Sequence, residues 1–287
     1  MPTFSTPSPI LAVIEFAAGD TRISASDRDD TVVEVRPSDA GNERDVRTAE
    51  QTRVEYAGGR LLVKGPQLRN LFGKPGSIEV IVDLPTGSSL QGNQGMGALR
   101  TDGQLGDCRL HTGLGDVVLD ETGALDVSTG AGSITADQVN GPVDLSTGTG
   151  RIRLRAVECG AAIKNSNGDT WIGDVRGDLR IKASNGSIRV DRARDGVEAT
   201  TANGDVRVGG LTRGLASLKT ATGALEIGVQ DGAAARLDLH TQFGKVHNEM
   251  DAAGEPAAGD QFVEVHARTS MGDITIRRTP RDPEGAS

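Results

Sequence analysis

The stretch "NSNGDTWIGD", residues 165–174, contains an Asn-Gly pair of the kind that favours a two-residue β-hairpin. The same pair recurs, so that Asn167-Gly168, Asn185-Gly186 and Asn203-Gly204 are spaced 18 residues apart. Independent hairpins have no reason to keep a constant spacing. The pairs therefore indicate a repeat in which each Asn-Gly turns a corner between two sides of one coil, and stacked corners would let the three Asn side chains form a hydrogen-bonded ladder.

Other glycines extend this repeat over most of the chain. Their spacings are 18, 17, 18, 18, 18, 18, 19, 21 and 28 residues. We call them the anchor glycines, and they are Gly97, Gly115, Gly132, Gly150, Gly168, Gly186, Gly204, Gly223, Gly244 and Gly272.

Apolar residues alternate with polar ones on both sides of each anchor. Ile188 and Val190 follow Gly186 by two and four residues, and a second alternating run precedes each anchor. A period of two is typical of β-strands, and no 18-residue unit could bury its apolar face alone. The sequence therefore predicts an all-β fold, a single-stranded parallel β-solenoid (β-helix) of about ten 18-residue coils with an amino-terminal β-rich cap.

The 18-residue spacing is absent from residues 36–90. We expect there a short helix in "NERDVRTAEQ", a hairpin in "VEYAGGRLLVKG" and a strand in "SIEVIVDLP". The resulting organisation is a disordered segment 1–9, a capping region 10–92, solenoid repeats 93–279 and a disordered tail 280–287.

Two features mark the carboxyl-terminal part of the repeats. Arg277, Arg278 and Pro280 follow the last predicted strand, a combination that discourages edge-to-edge pairing at the end of the stack. The insertion "NEMDAAGEPAAGDQ", residues 248–261, accounts for the longest anchor spacing and predicts a disordered loop that could also carry recognition.

Composition limits the classes of function. The 287 residues include 39 glycines and only 2% aromatic residues, so the core must be built from Val, Ile, Leu and Ala. The formal net charge of −9 argues against nucleic acid as a main partner, because phosphate binding needs a basic surface.

The chain also lacks the usual targeting and disulfide patterns. No Lys or Arg precedes the short apolar run near the amino terminus, and no stretch approaches the ~18 apolar residues of a membrane span. Cys108 and Cys159 are too few for a disulfide framework, and we expect both to be free thiols. These observations predict a cytoplasmic location and no membrane span.

The repeated "TGxGD" or "NGD" corners resemble those of a known family, and so does the preceding segment of the "GDTRI…DTVVEV…GRLLVKG" kind. The chain is similar, over residues 8–279, to the bacterial adhesin-like β-strand-repeat domain of unknown function, especially its actinobacterial members. The resemblance implies a parallel β-solenoid. It implies no catalytic residues, because the family has none that are agreed.

Motifs for metal or cofactor chemistry are missing. The acidic residues that follow the anchors, such as Asp169, do not have the spacing of calcium-binding solenoid repeats. His240 and His266 are expected to face outward on adjacent coils without a carboxylate-rich shell around them. We therefore expect no metal, no cofactor and no catalytic residue.

An enzyme remains the second hypothesis, because β-helices that cleave polysaccharides carry acidic residues on outward ladders. Asp169 and Asp205 occupy the same corner two coils apart, which places them ~10 Å from each other, just beyond the separation of an inverting carboxylate pair. Asp directly after Gly is also ordinary corner chemistry, and this structural interpretation is favoured.

The best candidate site lies three residues after successive anchors, on the outward face. The repeat register places Trp171 outward and Thr170 inward, against simple hydrophobicity. Neighbouring coils lie ~4.8 Å apart, so that arginines can stack on the indole from both sides. This strip comprises Arg153, Trp171, Arg189 and Arg207, and a second outward column contains Lys164, Lys182, Lys219, His240 and Arg268.

These patterns favour a non-enzymatic β-solenoid scaffold or interaction module. An exposed Trp flanked by Arg is typical of a protein interface or of a platform for an anionic glycan, and either is a candidate partner. The alternative is a polysaccharide-active β-helix enzyme that uses outward carboxylates.

Overall fold

The computed structural model of the chain describes residues 1–66, 75–250 and 262–280, which contain 26 β-strands and one short α-helix. Two compact units are present, Met1–Gly141 with Leu145–Gly148 and Pro142–Asp144 with Thr149–Ser287. Parallel strands dominate both units, and the predicted fold class, an all-β parallel solenoid, is confirmed.

The first unit contains the only helix of the described residues. Its elements are β1 (Thr3–Ser5), β2 (Leu11–Ser26), β3 (Asp30–Pro37), α1 (Glu43–Gln51), β4 (Arg53–Ala57), β5 (Arg60–Lys64), β6 (Ile78–Pro85), β7 (Ser89–Met96), β8 (Leu99–Asp102), β9 (Cys108–Leu114), β10 (Val117–Thr122), β11 (Leu125–Ala131) and β12 (Ile134–Val139). Strand β13 (Val143–Thr149) contributes residues to both units.

The second unit consists of strands throughout its described part. They are β14 (Ile152–Val157), β15 (Ala161–Asn167), β16 (Thr170–Val175), β17 (Leu179–Asn185), β18 (Ile188–Ala193), β19 (Val197–Asn203), β20 (Val206–Leu211), β21 (Gly214–Thr222), β22 (Leu225–Gln230), β23 (Ala234–Phe243), β24 (Val246–Glu249), β25 (Phe262–Met271) and β26 (Ile274–Thr279).

Within each unit the strands form two ladders. We name ladder A the one formed by strands that follow an anchor glycine, and ladder B the one formed by strands that precede an anchor. In the second unit β16 pairs in parallel with β14 and β18 in ladder A, and β17 pairs with β15 and β19 in ladder B. Each of these coils therefore adds one strand to each ladder, as the repeat predicts.

Alternation along the strands separates core from surface. Ile188 and Val190 are fully buried, whereas Arg189 between them is exposed. Thr170 is 1% exposed, while Trp171 next to it faces outward and is half-buried. The predicted register is confirmed, because the stacked neighbours of Thr170 hold the strand in place even though a tryptophan would gain more from burial than a threonine.

The corners require glycine. Gly186 has φ of 130°, and a Cβ atom added to it would lie 2.2 Å from the carbonyl oxygen of Gly168 in the adjacent coil. The Asn side chains have a separate role: Asn185 Nδ2 donates to Asn167 Oδ1 and Asn203 Nδ2 donates to Asn185 Oδ1, both at 2.9 Å. The predicted Asn ladder is confirmed, and positive φ among the described residues belongs to glycines alone.

The amino-terminal region is more than a cap. Strand β2 pairs in parallel with β5 and β6 on one side and with β7 and β8 on the other, so it is itself a coil inside the stack. The outer coil formed by β5 and β6 is covered by antiparallel strands, β4 on β5 and β3 on β6. A single capping region over residues 10–92 therefore does not describe this arrangement.

Local elements of this region match the sequence. Asn42 caps helix α1, since its Oδ1 accepts a hydrogen bond from the Arg44 amide at 3.0 Å. The β4–β5 hairpin turns at Gly58 and Gly59, with φ of 57° and 76°. Disorder was expected for residues 1–9, but β1 lies there and pairs antiparallel with β3.

The coils at the carboxyl-terminal end are stacked out of sequence order. Strand β25 pairs with β21 on one side and β23 on the other, and β26 lies between β22 and β24 in the same way. A Cβ atom added to Gly272 would lie 2.0 Å from the Gly223 carbonyl oxygen, and one added to Gly244 would lie 2.0 Å from the Gly272 carbonyl oxygen. The coil of Gly272 is thus inserted between the two coils that precede it in the sequence, so the coils do not stack in the order of their anchor glycines.

This insertion changes the interpretation of the last strand. Arg277 and Arg278 belong to β26, whose two edges are paired, so they do not protect the end of the stack as predicted. The coil of β23 and β24 occupies that end instead. Residues 251–261 of the insertion, and residues 281–287 of the tail predicted to be disordered, lie outside the described residues.

Candidate functional site

The candidate strip lies on ladder A of the second unit. In register, Arg153 is the neighbour of Trp171, Trp171 of Arg189, and Arg189 of Arg207. The next residue in the column is Glu226. The structure therefore brings the four predicted residues together in consecutive coils.

The indole of Trp171 lies against the surface of the sheet. The Arg153 guanidinium carbon is 4.5 Å from the ring centroid, within the range of a cation–π contact. Trp171 Nε1 donates a hydrogen bond of 3.0 Å to Asp191 Oδ2. Gly173 leaves room for the ring, since a Cβ atom added there would lie 3.3 Å from Trp171 Cη2 and 2.3 Å from the carbonyl oxygen of Arg155.

Only one of the two predicted arginines stacks on the indole. Arg189 Nε donates to Asp191 Oδ1 at 2.7 Å, and the same carboxylate accepts the indole N–H through its other oxygen. Asp191 thus holds both Trp171 and Arg189 in place, because its two carboxylate oxygens each accept a hydrogen bond from one of these side chains. The predicted stacking of Arg189 on Trp171 was wrong for this reason.

Exposed arginines are concentrated at the Arg153 side of the strip. Strand β14 and the residue before it present Arg151, Arg153 and Arg155 outward, and all three are exposed. At the other side, Arg207 forms an ion pair of 3.4 Å with Glu226. Sequence reasoning missed Arg151 and Arg155, although the alternation in "RIRLR" signals three outward arginines.

A shallow depression of about 140 Å³ lies beside Arg207. Its lining includes the backbone of Gly209 and Gly228, which have no side chains to fill it, and the charged side chains of Glu249 and Arg277. The strip therefore leads from an arginine-rich surface at Arg153 to a small depression at Arg207 that is lined by side chains of both charges.

The predicted lysines lie on the other ladder. Lys164 and Lys182 are neighbours in ladder B, and Thr200 separates Lys182 from Lys219. Arg268, and not His240, follows Lys219, because of the inserted coil. The structure therefore places the lysines in a column distinct from the Arg-Trp strip.

The corner carboxylates have structural partners. Asp169 Oδ1 accepts a hydrogen bond from the backbone N–H of Ser187 at 2.9 Å, and Asp205 Oδ1 accepts one from Ala224 at 2.8 Å. Asp116 and Asp273 make the same bond to the next coil. Each acidic corner satisfies a backbone donor of the adjacent coil, which supports the structural interpretation of these residues.

The environment of His266 differs from the expected one. Its Nδ1 lies 3.4 Å from Asp238 Oδ2 and its Nε2 lies 3.1 Å from Glu264 Oε1, so two carboxylates flank it. The sequence did not predict these two contacts. Even so, no group of three or more metal-ligating side chains is found in the described part of the chain.

Both cysteines are free, as predicted, but they differ in burial. Cys108 is 2% exposed, and its burial, followed by the nearby charge of Asp107, raises its pKa to about 12. Cys159 is half-buried. Since the thiolate is the reactive form, these environments predict unequal reactivity.

We expect a thiol reagent at pH 8 to modify Cys159 in the native protein and to leave Cys108 unmodified, because only about one Cys108 in ten thousand would be ionised. In denaturant without reductant, two thiols per chain should react. The measurement is a timed titration of free thiols in both conditions. Rapid reaction of two thiols in the native protein would contradict the burial of Cys108.

In the described ranges 1–66, 75–250 and 262–280, no helix is both long and apolar enough to cross a membrane.

The protein is a β-solenoid repeat domain, as its two parallel ladders and glycine corners show. The outward arginine-tryptophan strip is its candidate surface for interaction. The chain belongs to the Toastrack DUF4097 family, whose family model matches residues 12–277. No curated protein matches the chain.

Solved structures similar to the chain include three proteins of low sequence identity. A putative adhesin from Bacteroides fragilis NCTC 9343 has 10% identity and a TM-score of 0.35, over 96% of this chain and 95% of that chain. A putative cell adhesion protein from Clostridium sporogenes ATCC 15579 has 11% identity and a TM-score of 0.22, over 96% and 94%. A putative adhesin from Parabacteroides distasonis ATCC 8503 has 11% identity and a TM-score of 0.26, over 96% and 95%.

Proposed function

We propose that this Toastrack domain is a non-enzymatic interaction module that binds an acidic glycan along the strip of Arg153, Trp171, Arg189 and Arg207. The observation that carries the proposal is the indole of Trp171, which lies along the outward face with a guanidinium 4.5 Å from its centroid. The indole holds this guanidinium in place at the surface, and guanidinium groups pair with the carboxylate or sulfate groups of an acidic glycan.

Local charge supports an acidic ligand. The chain as a whole carries a formal charge of −9, yet Arg151, Arg153 and Arg155 project from the same face of one strand. Guanidinium groups exposed at a surface can pair with an anion at short range even when the net charge of the protein repels it.

The site is also held in place before a ligand arrives. Asp191 fixes the indole through Nε1 and fixes Arg189 through Nε, and Gly173 leaves space for the ring. Side chains that are already ordered lose less conformational entropy on binding, which favours affinity.

The corner residues favour binding over catalysis. Asp169 and Asp205, the carboxylates of the enzyme hypothesis, each accept a backbone hydrogen bond from the next coil. A carboxylate used in this way is fixed in the corner, and this supports an interaction module over a polysaccharide-active enzyme.

Titration of the native protein with a uronate oligosaccharide, and with a sulfated one, tests the proposal through the emission of Trp171, the single tryptophan of the chain. We expect saturable emission changes at low salt that weaken as salt is raised. Arg153→Ala should weaken binding about fivefold or more, because it removes the guanidinium stacked on the indole.

Lys182→Ala provides the matched control, since it removes one positive charge from ladder B of the same unit. We expect it to change the affinity less than about twofold. The absence of saturable binding of either oligosaccharide, or equal losses in the Arg153 and Lys182 variants, would show that the strip is not a glycan site.

A further inference from the structure

The coil formed by β23 and β24 is an open end of the second unit. Among the described residues, β23 pairs only with β25 and β24 pairs only with β26, so each has one free edge. The side chains that should face the core are correspondingly uncovered: Leu237 and Leu239 are half-buried and Val246 is 44% exposed. A free edge of this kind can pair with another strand.

The first unit shows how this fold covers such an end. There the outer coil of β5 and β6 is paired with the antiparallel strands β4 and β3. No described strand has this role at β23 and β24. The outer coil of the first unit is therefore covered by strands, whereas the coil of β23 and β24 in the second unit is not.

Exposed apolar side chains are concentrated around the open end. Five of the nine large hydrophobic residues that are exposed in the described part of the chain belong to strands β21 to β25. Phe243 and Met271 are neighbours in register, so these two form an exposed apolar patch on the open coil, and such patches are typical of interaction sites. The five residues are Leu215, Phe243, Val246, Phe262 and Met271.

We propose that the open end binds the open end of a second copy of this chain, with β23 and β24 each pairing antiparallel with their counterparts around a twofold axis. Polar side chains on ladder B fit this arrangement as hydrogen-bond partners, and Asp238 also forms an ion pair of 3.2 Å with Arg268 of its own chain. Antiparallel pairing of β23 centred on Leu239 places Asp238 opposite His240 of the other copy, and it does so twice because of the symmetry.

Ladder A has the same self-complementarity. Antiparallel pairing of β24 centred on Asn248 places His247 opposite Glu249 of the other copy, again twice. In both strands the central residue belongs to the inward column, so inward side chains meet inward side chains and Leu239 becomes covered by its own counterpart.

The covered end of the first unit favours a closed dimer over a growing fibre. Head-to-tail stacking would need a parallel edge on the outer coil of that unit, but β4 and β3 already occupy both ladders there. An isologous contact between two open ends leaves no further free end of this type.

Disulfide trapping of the full chain tests the arrangement. Directly opposed residues of antiparallel strands have Cα atoms about 5 Å apart, within the reach of a disulfide, and Asn248 is opposed to itself. In a Cys159→Ser background, Asn248→Cys should form a covalent dimer on mild oxidation. Val118→Cys is the control, because Val118 is also exposed on a strand but lies inside a paired ladder of the first unit.

Charge exchange tests the register without an added cysteine. Sedimentation of the wild-type chain should give about twice the monomer mass of 29.8 kDa. His240→Glu should weaken the dimer about tenfold or more, since a carboxylate would face Asp238 of the other copy. Asp238→Lys combined with His240→Glu should restore it, because opposite charges would then face each other. Asp238→Lys is not used alone, since it would also break the ion pair with Arg268 of its own chain.

The outcomes separate the proposal from its alternatives. A monomer at all concentrations up to about 100 μM would overturn it, and so would a dimer that His240→Glu leaves unchanged or that fails to cross-link through Asn248→Cys. Species that keep growing beyond the dimer would overturn the twofold closure. Dimer formation that appears only after deletion of residues 251–261 would show that the chain's own segment occupies the end.

Discussion

Gly186→Ala is expected to destabilise the protein by about 3 kcal/mol or more. The residue has φ of 130°, which costs an L-amino acid energy on its own, and the added methyl group would lie 2.2 Å from the Gly168 carbonyl oxygen. The clash cannot be relieved by a small movement, because the Gly168 carbonyl belongs to backbone that the two ladders hold in place. The free energy of unfolding in urea, compared with that of the wild type, is the measurement.

Gly58→Ala is the matched control for the corner. Gly58 also has positive φ, at 57°, but a Cβ atom added there meets nothing within 4 Å. We expect a loss of about 1 kcal/mol, which reflects backbone strain alone. Similar losses at Gly58 and Gly186 would mean that close approach between coils does not select the anchor glycines.

Ile188→Asp is expected to cost several kcal/mol, about 4 or more, because it places a carboxylate in the fully buried column of ladder A without a partner. Arg189→Ala, one residue further, should cost about 0.5 kcal/mol or less, since the Arg189 side chain is 57% exposed and its ion pair with Asp191 is at the surface. Thermal and urea unfolding of the two variants test the alternation, and equal losses would contradict it.

Periodicity in the sequence was sufficient to predict the strands, their register and the inward columns. Thr170 and Trp171 show this most clearly, because residue hydrophobicity alone would reverse their positions. Stacking couples each strand to two neighbours, so a single unfavourable residue cannot shift the register. The Asn ladder and the glycine corners follow from the same constraint.

The order of the coils could not be predicted in the same way. Every coil offers similar parallel edges to its neighbours, so the repeat does not say which coil lies beside which. The 28-residue spacing before Gly272 signalled an insertion, but not that β25 and β26 would enter between β21–β22 and β23–β24. Nor did it show that β2 would be enclosed by strands that come later in the chain.

The strip was predictable as a column but not in its contacts. Register placed Arg153, Trp171 and Arg189 side by side. Whether an arginine stacks on the indole or pairs with a carboxylate depends on competition between rotamers, and Asp191 is close enough to take Arg189. Sequence spacing contains no information on that competition.

The inserted coils bear on how the chain folds as it leaves the ribosome. Strand β2 acquires its neighbour β7 only after a further stretch of synthesis, since Ile10 and Ser88 hydrogen-bond across 78 residues. At the other end, β23 and β24 are synthesised before β25 and β26, the strands that attach them to the preceding coil. Addition of each new coil to the one synthesised just before it can therefore build only the coils in the middle of the repeat. The first and last coils depend on pairing between strands that are far apart in the sequence and that meet late in synthesis.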